Sequence, residues 1–327
     1  MNIQNYKKNI FNINTDSQFN DAAIQLFTHQ YKNNSIYKKY IQLINCNVSQ
    51  VKYYDQIPFL PIELFRTHKV STDLHRSEVV FKSSGTTNDQ KSSHYVIDLS
   101  IYKKSIINCF NLFIGDPKEF VFLCLIPEKN KHPNSSLSFM AYELIKNSNN
   151  RNSGFFINKT NELIEQIKKC QSKNQKFILF GLSFEILDFA EKNQISLHNG
   201  IVIETGGTKK NNKHLFREEL HNQLKAKFKT NNIYSEYGMA ELLSQSYYTN
   251  QNYFQSPPWK KILLRDKTNP LKIINKNQRG LINIIDLANI YSCGFIATND
   301  FGEVSNNGFN VIGRNHNTIA RGCNLMI

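Results

Sequence analysis

No run in this sequence approaches the roughly 18–20 apolar residues that a membrane-spanning helix needs. The first residues, MNIQNYKKNIFNINTD, lack the apolar stretch of about 7–15 residues of a secretory signal. The six cysteines, at positions 46, 109, 124, 170, 293 and 323, include no CxxC pair and no Cys/His spacing of a zinc site. These absences predict a cytoplasmic protein with reduced thiols. Internal repeats are lacking too. Lysines are scattered among asparagines and isoleucines without a dense basic run, so the formal charge of +14 predicts no nucleic-acid partner, although it would attract small anions.

What is present suffices for a folded core: 40% of the 327 residues are apolar and 12% aromatic. Residues 1–80 read mainly as helix, with apolar residues at helical spacing over Asp21–Tyr31. Phe59–Phe65, broken by Pro58 and Pro61, reads as an extended packing segment. Over 81–258 strands and helices alternate. Strands are expected at Glu78–Phe81, Tyr95–Leu99, Phe120–Ile126, Lys176–Phe180, Gly200–Glu204 and Asn232–Tyr234. Helices are expected at Leu99–Phe113, Leu137–Ile145, from Gly181 through Ala190, and His214–Lys229. Such alternation predicts an α/β fold with buried, mostly parallel strands flanked by helices. Residues 259–327 carry short strands between Gly/Asn/Asp turns, which predicts a smaller β-rich lobe.

The first chemical candidate is Lys82–Lys91, KSSGTTNDQK. Hydroxyls around Gly85 can present O–H and N–H donors to phosphate oxygens, and Lys91 adds a positive charge. Gln90 stands where a Walker A loop has Gly, so this is not that loop. Taken alone, the segment also fits a polar surface turn. Downstream, SEYGMAE places Glu241 just past an aromatic-Gly turn, as a carboxylate for Mg2+ or as a first-turn helix residue. Thr298-Asn299-Asp300 ends a β segment, where Asp300 can accept from ribose hydroxyls or simply form a turn. Arg314, after Gly313, can meet phosphate or ribose oxygen, or stand solvated.

In order, these four motifs resemble those of the adenylate-forming superfamily: a Ser/Thr/Gly phosphate loop, Tyr-Gly-x-Thr-Glu, Thr-Gly-Asp and Gly-Arg. A closer resemblance covers most of the chain, through IPFLPIELFRTHKV (57–70), FKSSGTTNDQKSSHYV (81–96), FGLSFEILDFAE (180–191), IETGGTKKNNKHLFREEL (203–220), YSEYGMAELLSQSYY (234–248) and RGCNLMI (321–327). They are similar to the LuxE-like acyl-protein synthetases, with phenylacetate-CoA ligase a more distant relative. The resemblance implies an adenylate-forming large-domain fold without the mobile C-terminal domain. It implies use of ATP and Mg2+ to turn a long-chain fatty acid into an acyl-adenylate. It also implies a thioester on a cysteine near the C-terminus and an acyl-accepting protein partner such as a reductase, acyltransferase or carrier protein. By the same resemblance Ser83, Ser84, Gly85, Thr86 and Thr87, with Lys91, cradle the phosphates. Gly206, Gly207 and Thr208 line the adenine side, and Tyr237 followed by Gly238 stacks beside it. Glu241 holds Mg2+, Asp300 and Arg314 hold the ribose, and Cys323 accepts the acyl group. Asn88, Ala240 and Asn299 depart from the family's Gly, Thr and Gly.

Arg321, two residues from Cys323, is a candidate to lower that thiol's pKa; Cys323 also reads as a buried small residue of a terminal strand, Cys-Asn-Leu-Met-Ile. Phe139, Phe184 and Leu243 suit either an acyl tunnel or the core. Two other functions stand beside the main one: an acyl- or aryl-CoA ligase, and a non-catalytic basic protein that binds nucleic acid.

Overall fold

The computed structural model describes residues 1–83, 90–206 and 216–314. The first stretch contains α1 (Ile3–Asn9), α2 (Asp16–Asn33), α3 (Ser35–Leu43), β1 (Leu60–Pro61) and α4 (Leu64–Thr67). Next come β2 (Val79–Lys82), β3 (Ser93–Val96), α5 (Leu99–Phe113), β4 (Val121–Leu125), α6 (Ser136–Ser148), β5 (Gly154–Phe155) and α7 (Thr160–Ser172). They are followed by β6 (Phe177–Leu182), α8 (Ser183–Lys192), β7 (Gly200–Thr205), α9 (Arg217–Phe228), β8 (Ile233–Tyr237), β9 (Ser246–Tyr248) and β10 (Phe254–Gln255). The last stretch holds β11 (Lys260–Arg265), β12 (Ile273–Ile274), β13 (Arg279–Asp286), β14 (Phe295–Val304) and β15 (Phe309–Arg314). The chain folds into two compact units, 77–257 and the combination of 1–76 with 258–327. No helix among the described residues is long and apolar enough to cross a membrane.

In the unit 77–257 the strand order is β10-β9-β8-β7-β6-β4-β5. Strands β8, β7, β6, β4 and β5 run parallel, and β9 turns back antiparallel to β8. All five residues of β4 are buried, which explains a strand that reads as an unbroken apolar run. Its alternate residues Val121, Leu123 and Leu125 share one cluster with Ile167 of α7, Ile186 of α8 and Leu224 of α9. Phe122, on the opposite face, packs against Phe110 of α5, ring centroids 5.5 Å apart. The sheet is therefore covered by helices on both sides, as the alternation predicted. α5 starts where Asp98 accepts from the Ser100 amide, and α6 where Ser135 accepts from Ser138.

The other unit joins sequence positions about 260 residues apart. Its strands run β12-β11-β13-β14-β15, antiparallel throughout, with β1 parallel to β14. The α2 side chain Gln30 is fully buried, donates to the carbonyls of Asn289 (2.8 Å) and Ile290 (3.0 Å), and accepts from the Gly294 amide. Asn34 donates to Ser292 O in the same way. Two helix amides thus satisfy a buried loop that has no ladder of its own. Left-handed positions among the described residues are taken mostly by asparagine, such as Asn149 (φ 50°) capping α6 and Asn174 (φ 52°) after α7. Asparagine is the side chain that tolerates this conformation best after glycine.

Several elements differ from expectation. Asp16–Asn33 is longer than the predicted helix, because Thr15 caps it from outside the apolar stripe. Leu64–Thr67 forms one helical turn that overlaps the end of Phe59–Phe65, the segment that reads as extended. Tyr95–Leu99 is displaced: β3 ends at Val96 and Leu99 already belongs to α5. α7 was not anticipated, although Leu163, Ile167 and Cys170 recur at helical spacing.

Candidate active site

In the unit 77–257, candidate side chains gather at one hairpin and at the carboxyl ends of β7 and β8, where open α/β sheets bind ligands. β2 and β3 form the hairpin, Lys82 opposite Ser93. Ser83 and Ser92 close its neck: the Ser83 amide donates to Ser92 O, and the Ser92 amide donates to Ser83 Oγ, both at 3.1 Å. Ser84, Gly85, Thr86, Thr87 and Asn88 lie outside the described residues. Lys91 is exposed beside the neck.

From that neck the Ser92 hydroxyl donates to Glu241, and both side chains are buried. Two residues on, the buried His94 places Nδ1 2.8 Å from the Ala240 carbonyl. With a carbonyl as partner, Nδ1 carries the proton. Glu241 stands in a turn, not in the first turn of a helix. The base of the Ser/Thr/Gly segment and the candidate metal carboxylate are therefore tied together by one strand. Neither Ser92 nor His94 was marked in the sequence, where they look like ordinary hairpin residues. Removing the Ser92 hydroxyl leaves a buried carboxylate short of a donor, so Ser92→Ala is expected to lower unfolding free energy by about 2 kcal/mol. Ser93→Ala should change it by less than about 0.5 kcal/mol; urea denaturation of both variants checks this.

Tyr237 ends β8 half-buried, its ring 5.7 Å from that of Phe254. Gly238 follows where a Cβ would lie 2.5 Å from Glu236 Oε1, so any other residue there would displace that buried carboxylate. Glu236 accepts in turn from the Thr205 hydroxyl of the neighbouring strand. Gly206 follows β7 at φ +89°; Gly207 and Thr208 fall outside the described residues. Phe139 packs its ring against Tyr102 (5.4 Å) and Phe81 (5.5 Å), and Leu243 is buried, so these two serve the core, whereas Phe184 is half-buried.

The other unit carries Asp300 and Arg314. Asp300 does not end its strand, since β14 continues to Val304. From Asn283↔Ala297 to Leu281↔Phe301 β13 advances by two residues and β14 by four, so Thr298-Asn299-Asp300 forms a bulge. Bulges re-aim side chains next to functional sites. Here Thr298 Oγ1 donates to Ile282 O at 2.8 Å and accepts from the Asp300 amide at 3.1 Å. The buried Arg265 fills the gap, donating to Ile282 O (3.0 Å), Asn283 Oδ1 (2.8 Å) and Thr298 O (2.5 Å). Asp300 sits opposite Arg314, whose Nε donates to its Oδ1 at 3.0 Å. The Asn299 amide donates to Glu63 at 2.5 Å, a bond no glycine can make.

Among the described residues no group of three or more His, Cys, Asp or Glu is placed to hold a metal ion by itself. Glu241 offers a single carboxylate, a donor set that suits Mg2+, which is usually held by one or two carboxylates together with substrate phosphates. Cys323 lies outside the described residues.

The family model described as acyl-protein synthetase, LuxE, matches residues 11–327. The chain belongs to the LuxE acyl-protein synthetase family. No curated protein matches it significantly. Among solved structures, 2-hydroxyisobutyryl-CoA ligase in the postadenylation state with 2-HIB-AMP has a TM-score of 0.69 at 11% identity, covering 91% of this chain and 67% of that one. ATP-bound MatB from Rhodopseudomonas palustris has a TM-score of 0.55 at 13% identity, covering 72% of this chain and 47% of that one. This family member thus spans about half the length of MatB. At such identities the likeness shows the fold, which is that of adenylate-forming ligases.

Proposed function

We propose that the protein uses ATP to activate a carboxylic acid as its acyl-adenylate and then passes the acyl group to a cysteine. Family membership supports the reaction class. The observation that carries it is the buried Ser92–Glu241 contact at the neck of the hairpin that bears the Ser/Thr/Gly segment. In the first step a carboxylate oxygen attacks the α-phosphorus of ATP and pyrophosphate leaves. The protein's contribution is positioning and charge neutralisation. Ser83 to Thr87 and Lys91 hold the phosphates. Gly206, Gly207 and Thr208 line the adenine side with Tyr237 and Gly238, and Asp300 with Arg314 meets the ribose. Glu241 would hold Mg2+, which supplies charge neutralisation at the phosphates.

In the second step a thiolate attacks the acyl carbonyl and AMP leaves, so a thioester replaces the mixed anhydride. Cys323 is the proposed acceptor. Burial pushes the thiols of Cys46, Cys124 and Cys170 up, and that of Cys293 up to about 12, so none of these is predisposed to be a thiolate. A long-chain fatty acid is the substrate class favoured by the family resemblance, and a protein partner is the final acceptor. The test is ATP–pyrophosphate exchange with Mg2+ against fatty and aromatic acids. Stimulation by at least one acid is expected, and its absence with folded protein sinks the proposal. Cys323→Ser should abolish a hydroxylamine-labile acyl adduct and leave exchange within about twofold, because adenylation precedes the thiol's step. An undiminished adduct would remove Cys323 from the mechanism.

A further inference from the structure

Beneath the carboxyl ends of β6, β7 and β8 lies a fully formed polar cluster that the reaction above does not use. Glu204 of β7 is buried, with Ser183 from the start of α8, Ser235 of β8 and His221 of α9 around it; all four are at least nine-tenths buried. The two carboxylate oxygens are served from opposite sides: Ser183 donates to Oε2 and Ser235 to Oε1. Because Ser235 spends its one proton on Glu204, it accepts from His221 Nε2 at 2.9 Å. The relay therefore runs from His221 Nε2–H through the Ser235 hydroxyl to the carboxylate. The same imidazole nitrogen is 3.5 Å from Glu204 Oε1. Burial pushes the Glu204 carboxyl up, but the nearby His221 ring and the hydroxyls of Ser183 and Ser235 outweigh it and hold the group below its ordinary value. The cluster thus centres on an ionised carboxylate that both serine hydroxyls face.

Its outlet is the backbone. The single Ser183 hydroxyl proton is shared: besides Glu204 it faces the Thr205 carbonyl at 3.1 Å and the Gly206 carbonyl at 3.2 Å. Glu204 fixes where that hydroxyl sits, and the hydroxyl touches the two peptide groups at the point where β7 ends and φ turns positive. We propose that Ser183, Glu204, Ser235 and His221 form a positioning cluster that sets nucleotide affinity by fixing the Thr205–Gly206 backbone, without touching the nucleotide. This rests on the reading that Gly206 lines the nucleotide.

The test compares Ser183→Ala, His221→Leu and His221→Gln in the full chain, since glutamine keeps an N–H donor for Ser235. ATP affinity is measured by calorimetry without acid, alongside exchange kinetics and melting temperature. Ser183→Ala is expected to weaken ATP binding and raise the KM for ATP about tenfold, with kcat at saturating ATP within twofold. His221→Leu should act in the same direction, and His221→Gln should restore affinity to within about twofold of the parent. Unchanged ATP affinity in Ser183→Ala and His221→Leu overturns the proposal, whatever happens to melting temperature. So does a loss in His221→Gln equal to that in His221→Leu. A parent protein that binds no ATP sinks the functional reading itself, and the inference with it.

Discussion

Replacing Glu241 by glutamine is expected to cut acid-stimulated pyrophosphate exchange by about 100- to 1,000-fold, the loss typical of removing one well-placed electrostatic group. The substitution is nearly isosteric and the side chain is 4% exposed, so packing is conserved. Glutamine Oε1 still accepts from the Ser92 hydroxyl, which keeps the hairpin neck attached. What disappears is the negative charge that a hard cation requires. Unfolding free energy should therefore stay within about 1 kcal/mol of the parent, while exchange collapses at every Mg2+ concentration. Retention of exchange within a few-fold would show that Glu241 is not the metal ligand. The combination separates a metal carboxylate from a structural one, because Ser92→Ala has the reverse profile: a clear stability loss with the carboxylate still present.

The largest stability effect is expected from Arg265→Met, a loss of about 4 kcal/mol in urea denaturation. The guanidinium is 6% exposed and donates to three acceptors on two strands. Burial lowers its pKa to about 10, with the Glu63 carboxylate acting in the opposite direction, so it remains charged at neutral pH. Methionine fills the volume but offers no donor. The Thr298 carbonyl and Asn283 Oδ1 then lose this donor while buried, at about 1–3 kcal/mol for each group that no water reaches, and the Ile282 carbonyl keeps only its bond from Thr298 Oγ1. Arg265→Lys should recover only part of this, since a single ammonium cannot reproduce the planar fork. A loss below about 1 kcal/mol for Arg265→Met would mean that the bulge at Thr298–Asp300 holds itself. Because that bulge aims Asp300 at Arg314, the KM for ATP should rise in Arg265→Lys.

The order of the motifs and most of the elements were legible in the sequence. Leu99–Phe113 was read to its exact ends, because Asp98 supplies a cap and the apolar stripe of Ile101, Tyr102, Ile106 and Phe110 is uninterrupted. β4 was legible as an apolar run because a parallel strand buried on both faces has no polar side to alternate. Asp300 stands out by its motif, but its setting does not: a bulge is a mismatch between two strands, and neither strand's sequence contains it. Asn299 looked like a departure from the family pattern, and its bond to Glu63, 236 residues away, gives it a use.

Sequence by itself determined the fold class, the family and the kinds of side chain offered for the candidate site, because propensity, periodicity and motif order are local properties of the chain. Tertiary structure alone decided which polar residues work together. Ser92 meets Glu241 across 149 positions, and Glu204 gathers Ser183, His221 and Ser235 from three other elements. The physical reason is that a buried carboxylate must be satisfied by whatever donors packing brings near. That choice follows from strand order and register, which place distant residues side by side.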